Sequence, residues 1–171
     1  MPLVSASRLQ TLACRALERA GVPHDHAVMQ ADLLLEAELR GVPSHGLLRL
    51  ERLVRRIGNG VIDPFARGQH VWQGTAFLSA YGQNGLGPVV ANTALAAAAE
   101  RAGETGIALV AVSNSNHLGM LGWYAERLAA QGFTTIALST SEALVHPWGG
   151  RQAMIGTNPI AIGLPTGNGG V

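Results

Sequence analysis

The sequence is short of cysteine and of charge, and it has no long apolar run. Its single cysteine, Cys14, excludes an internal disulfide framework and points to a reducing, cytoplasmic setting. Cys14 lies inside a helical apolar pattern, which suits a buried, inert thiol better than a nucleophile. Charged residues are only 13% of the 171, and the formal net charge of +1 gives no electrostatic case for nucleic acid. No early stretch is apolar enough for a membrane span. Arg8 and Arg15 interrupt the first apolar residues in an amphipathic pattern unlike a signal peptide. His24 and His26 read as solvated loop and helix-start residues, with no carboxylate or cysteine pattern completing a metal site.

What is abundant is apolar surface and glycine. A hydrophobic content of 47% with 22 glycines excludes a disordered chain and fits a compact α/β protein that buries much surface, a subunit interface included. Leu9, Leu12, Ala13, Ala16, Leu17 and Ala20 recur at helical spacing and predict a helix over 5–20, closed by Gly21. Asp25 is the expected cap of a second helix that ends at Gly41. A third is expected from Ser44 to Gly58, with Leu47, Leu50, Val54 and Ile57 on one face. These make a helical subdomain, assigned with its linker to residues 1–68.

From residue 69 to 171 the pattern becomes α/β. Strands are expected at Val71–Ala80, Gly106–Val112, Phe133–Leu138 and Ile160–Leu164, with helices at Pro88–Ala102 and Leu118–Gln131 between them. The 106–112 run is apolar almost throughout, as in a strand covered on both faces, and some parallel pairing is expected. The Gly82–Gly87 turn, G-Q-N-G-L-G, does not space its glycines as G-x-G-x-x-G does. A tight turn without ligand is favoured there over a phosphate cradle. His146 and Trp148 are read as loop-packing residues.

The chemistry-bearing candidate is Pro43-Ser44-His45-Gly46 with Arg49. In a first helical turn, His45 would lie where backbone N–H groups favour an anion and disfavour an imidazolium, and Arg49 four residues on would share its face. That combination suits holding a small 2-oxo or 2-hydroxy acid while a proton moves at its C2 oxygen. An N-capped helix with an incidental histidine and a solvated arginine fits the same window. Polar clusters also stand at strand ends, where open α/β layers bind ligands: Ser113–Gly119, Ser139-Thr140-Ser141 and Gly156-Thr157-Asn158-Pro159. His117 within the first is a second acid/base, a substrate contact or a helix cap.

Taken together, Pro43-Ser44-His45-Gly46 with Arg49, Asn114-Ser115-Asn116-His117-Leu118-Gly119, Pro147-Trp148-Gly149-Gly150 and Gly156-Thr157-Asn158-Pro159 resemble the malate/L-lactate dehydrogenase family of NAD(P)-dependent oxidoreductases. The resemblance covers essentially the whole chain. It implies a non-Rossmann α/β cofactor domain and hydride transfer between NAD or NADP and C2 of a small 2-oxo or 2-hydroxy acid. Reduction of a cyclic imino acid, or ligand binding without catalysis, are the alternatives. It further implies His45 and His117 as candidate proton-transfer residues. Ser44, Arg49, Asn116 and Thr157 would bind substrate, and Ser141, Asn158 and Pro159 the cofactor. A homodimer is expected, and, because family members run well past this point, an N-terminal portion of a longer enzyme.

Overall fold

The computed structural model describes residues 3–167, which divide between two compact units, Met1–Met120 and Leu121–Val171.

The first unit opens with three helices, α1 (Ala6–Arg19), α2 (His24–Leu39) and α3 (Leu50–Gly58). Leu17, Ala27, Ala31, Leu34, Leu53 and Ile57 form their shared core. Glycine ends the first two as the spacing predicts. Gly21 and Gly41 take positive φ, and Val22 and Val42 donate back to the carbonyls of Leu17 and Ala37 at 3.1 and 2.8 Å, satisfying otherwise unpaired end groups.

Two expectations here are corrected. Asp25 does not cap α2, whose N-cap is Pro23; instead its carboxylate pairs with the Arg67 guanidinium. His26 is not solvated. Helical rotation turns it inward to 2% exposure, and Nδ1 donates to the Pro64 carbonyl at 2.8 Å, tying α2 to the segment that follows α3.

A three-stranded sheet follows, in the order β1 (Gln69–Trp72), β2 (Phe77–Tyr81), β3 (Leu109–Ser113). The expected single strand over 71–80 is a hairpin, because Gly74 adopts positive φ and reverses the chain between β1 and β2. β2 and β3 are parallel, with Phe77 opposite Leu109 and Tyr81 opposite Ser113. The crossover between them is α4 (Gly87–Thr105), begun by Pro88 in its first turn. Ala94 and Ala97 let α4 approach closely, and with Leu78, Ala80, Val110 and Val112 they bury one sheet face. The other face is open in this chain: Val71 and Leu109 are exposed, so β3 is not covered on both sides.

In the second unit, α5 (Leu121–Ala129) packs on an antiparallel pair, β4 (Thr135–Leu138) and β5 (Ile160–Gly163). Gly163 has no Cβ because the Ala125 backbone lies against it. The outward side chains Ile136, Leu138, Ile160 and Ile162 form an exposed apolar face of two cross-strand pairs. Trp148 is fully exposed and His146 is exposed, so neither packs its loop as expected. Among the described residues, no helix is long and apolar enough to cross a membrane.

Candidate active site

The segment around His45 differs from the sequence expectation in local geometry. Pro43–His45 and Leu47–Arg49 are two short 3₁₀ turns, and α3 begins only at Leu50. Ser44 therefore caps no α-helix. Its Oγ lies 3.0 Å from Nδ1 of His45. Gly46 divides the two turns because of space rather than torsion. It is buried, and a Cβ there would run into the Glu38 carboxylate of α2. Glu38 Oε2 also accepts from the Leu47 amide at 3.1 Å, so α2 fixes where the turn begins. Arg49 Nε donates to the Ser44 carbonyl at 2.6 Å, folding its side chain back over the same turn.

His117 reaches this place from the end of β3. The Gly-rich turn is the seat of its loop. Gly82, Gly85 and Gly87 meet the backbone of 114–115, 66 and 116–117 where a Cβ would stand. Asn116 locks the loop: its amide nitrogen donates to the Asn84 and Gly85 carbonyls at 2.6 and 3.2 Å, and its Oδ1 accepts from Arg56 of α3 at 2.9 Å. Asn114 and Gly119 take positive φ on either side of His117.

The imidazoles of His45 and His117 end with ring centroids 5.3 Å apart and planes inclined by 39°. Their surroundings are cationic. Burial and then Arg49 hold His45 below its ordinary pKa. For His117, burial is the larger cause, followed by Arg49, His45 and Arg52, and its pKa falls to about 4. Both rings are neutral near pH 7. The macrodipole invoked for His45 is replaced by burial and an arginine, with the same consequence. The Gly119 amide donates to His117 Nδ1 at 3.0 Å, so the neutral ring carries its proton on Nε2. His45, against a hydroxyl that donates or accepts, is not restricted in this way.

Ser141, Thr157 and Asn158 form a separate knot in the second unit. Ser141 Oγ accepts from the Thr157 amide at 2.8 Å and lies 3.1 Å from the Thr157 hydroxyl, while Asn158 Oδ1 accepts from the Ser141 amide at 3.1 Å. Pro159 follows, its carbonyl accepting from the Ser139 amide at 3.2 Å. Asn158 holds positive φ there.

Sequence reading passed over Glu38, Arg52 and Arg56. The two arginines fall three and seven residues after Arg49, a helical spacing that was visible. Glu38 gave no such signal.

The sequence matches the malate/L-lactate dehydrogenase family over residues 4–170. It is 40% identical over 163 residues to a malate dehydrogenase of Pyrococcus abyssi, covering 95% of this chain and 45% of that protein. The crystal structure of a dehydrogenase from Sinorhizobium meliloti superposes with a TM-score of 0.92 at 52% identity, over 96% of this chain and 51% of that one. Malate dehydrogenase from Pyrococcus horikoshii gives a TM-score of 0.91 at 39% identity, over 96% and 47%. The chain thus spans about half the length of the relatives it matches. It belongs to the malate/L-lactate dehydrogenase family.

Proposed function

We propose that a polypeptide containing this chain is a nicotinamide-dependent oxidoreductase that interconverts a small 2-oxo acid and its 2-hydroxy acid. The observation that carries this reading is the His45–His117 pair, 5.3 Å between ring centroids, with Arg49 acting on both rings. Related proteins are named as a malate dehydrogenase, a sulfolactate dehydrogenase for NADP and a ureidoglycolate dehydrogenase for NAD.

The substrate carboxylate pairs with Arg49, whose planar head suits a two-oxygen anion. Burial is the larger cause holding His45 down and stays in place, but that pairing offsets the smaller one, the Arg49 charge, and so favours protonation of the imidazole when the acid is bound. His45 then gives a proton to the C2 oxygen during reduction, or takes it from the hydroxyl during oxidation. His117, its Nδ1 occupied by Gly119, offers an N–H at Nε2 and not a lone pair. It serves as a hydrogen-bond donor to the same oxygen. Asn116 and Arg56 hold that loop against α3.

A nicotinamide, when bound, supplies or receives the hydride at C2. Within the second unit, the exposed hydroxyls of Ser141 and Thr157 offer donors and acceptors of the kind a polar cofactor group would use. Gly82–Gly87 does not suit its phosphates, since the 114–117 loop fills the space beside Gly82 and Gly87 and the Ala66 backbone that beside Gly85.

Turnover of pyruvate, oxaloacetate and a cyclic imino acid with NADH and NADPH tests the reading. A 2-oxo acid is the preferred substrate on this reading, and Arg49→Lys raises KM several-fold while changing kcat little. Preference for the cyclic imine, or an unchanged KM in Arg49→Lys, would overturn it.

A further inference from the structure

Away from the histidine pair, three chemically different side chains converge at the joint between α1 and α2. Cys14 and Glu18 stand one helical turn apart on α1, and His24 is the first residue of α2. A thiol sulfur, a carboxylate oxygen and an imidazole nitrogen all lie within 4.8 Å of one another. His24 Nδ1 is 2.6 Å from Glu18 Oε1. The three border a cavity of about 270 Å³, with Gln10, Thr11 and Arg15 also on its wall. The proposed oxidoreductase function uses none of them.

We propose that Cys14, Glu18 and His24 form a binding site for a thiophilic divalent cation of the zinc type, completed by solvent. The donor set decides the class. Calcium and magnesium take oxygen ligands, whereas one sulfur, one nitrogen and one oxygen is a set that zinc accepts. The spacing fits as well. Zinc arms of about 2.0–2.3 Å put tetrahedral ligand atoms roughly 3.3–3.7 Å apart, so side-chain rotations suffice to reach them from the observed positions. The His24 side chain is 77% exposed, so its ring has room to turn once the hydrogen bond to Glu18 is given up.

Charge agrees with the geometry. Burial and then the carboxylates of Glu18 and Asp32 hold the Cys14 thiol protonated while the site is empty, and the same two carboxylates attract a cation. Arg15 is the cation lining the same cavity, and against it stand two carboxylates and the thiolate that binding would create. Binding replaces the thiol proton, so one proton leaves for each cation taken up, and the Glu18–His24 hydrogen bond gives way to two metal bonds. The ligands come from two helices joined by a short link, so the ion would staple that link and favour the folded state. The sequence conceals the site because Cys14 and His24 are ten residues apart and only the fold brings them together.

Because Cys14 is the only cysteine, a thiolate-to-cobalt charge-transfer band reports this site alone. The full chain, reduced and stripped of metal, is titrated with Co²⁺ and then with Zn²⁺. The expected result is a saturable one-to-one band with visible bands of tetrahedral intensity, removed by zinc, and a rise in Tm with either metal. Cys14→Ser abolishes the band, and the surface variants His24→Ala and Glu18→Gln each weaken binding at least about tenfold. No saturable band would overturn the proposal. So would a band whose affinity is the same in His24→Ala and Glu18→Gln, since that describes a lone thiol and a plain ion pair.

Discussion

Arg56 of α3 donates to Oδ1 of Asn116 at 2.9 Å, and this contact ties the helix after the His45 turn to the loop that carries His117. The two histidines come from segments about seventy residues apart. Their adjacency depends on the Asn116 amide, which also holds the Asn84 and Gly85 carbonyls.

Asn116→Asp keeps an acceptor for Arg56 but replaces two donated hydrogen bonds by a carboxylate facing carbonyl oxygens. We expect a stability loss of about 1–3 kcal/mol by urea denaturation, together with a fall in kcat. Wild-type stability would mean that the loop is held by something else.

Gly87→Ala tests the same loop from the other side. The new Cβ would lie against the His117 carbonyl, and backbone cannot step aside as a flexible side chain can. The variant should be destabilised by about 1–3 kcal/mol and lose activity although Gly87 touches no reacting atom. Thermal denaturation and turnover of one preparation would decide it.

The pH dependence follows from His117. In the unfolded chain it titrates near 6.5, and in the folded protein near about 4. Between those values the unfolded state binds more protons. The stability it contributes is therefore present above pH 6.5 and is lost as pH falls toward 4. Imidazole NMR should show one histidine still neutral at pH 5, and the same resonance should titrate higher with a bound dicarboxylate such as oxalate. A midpoint near 6.5 in the free protein would contradict this electrostatic picture.

His26→Ala would leave the Pro64 carbonyl without its donor and open a space in a buried position. A loss of about 2–4 kcal/mol is expected from the missing bond and the cavity together. Activity per folded molecule should be unchanged, because His26 faces the linker and not the histidine pair.

How much of this was legible depends on how local each cause is. Helix ends could be read because Gly21 and Gly41 act within their own turn. The β2–β3 parallel pair followed from a strand, helix and strand in succession. The β1–β2 hairpin was hidden because Gly74 sits inside a stretch whose flanks both favour strand. His26 was misjudged because burial depends on which way a helix rotates against its neighbours. The helical start assigned to Ser44 failed because Gly46 answers to the distant Glu38 carboxylate. Residue types named the histidines and Arg49, but Glu38, Arg52 and Arg56 looked like any solvated helical charge until the loops closed on them.

The most direct test compares single-turnover reduction of a 2-oxo acid by His45→Gln and His117→Gln variants of the enzyme containing this chain. If His45 moves the proton and His117 donates a hydrogen bond, His45→Gln slows the step by about 10²–10⁴-fold. His117→Gln, which keeps an N–H donor, loses mainly substrate affinity. A His45 variant that turns over at the wild-type rate while the His117 variant fails would contradict the assignment.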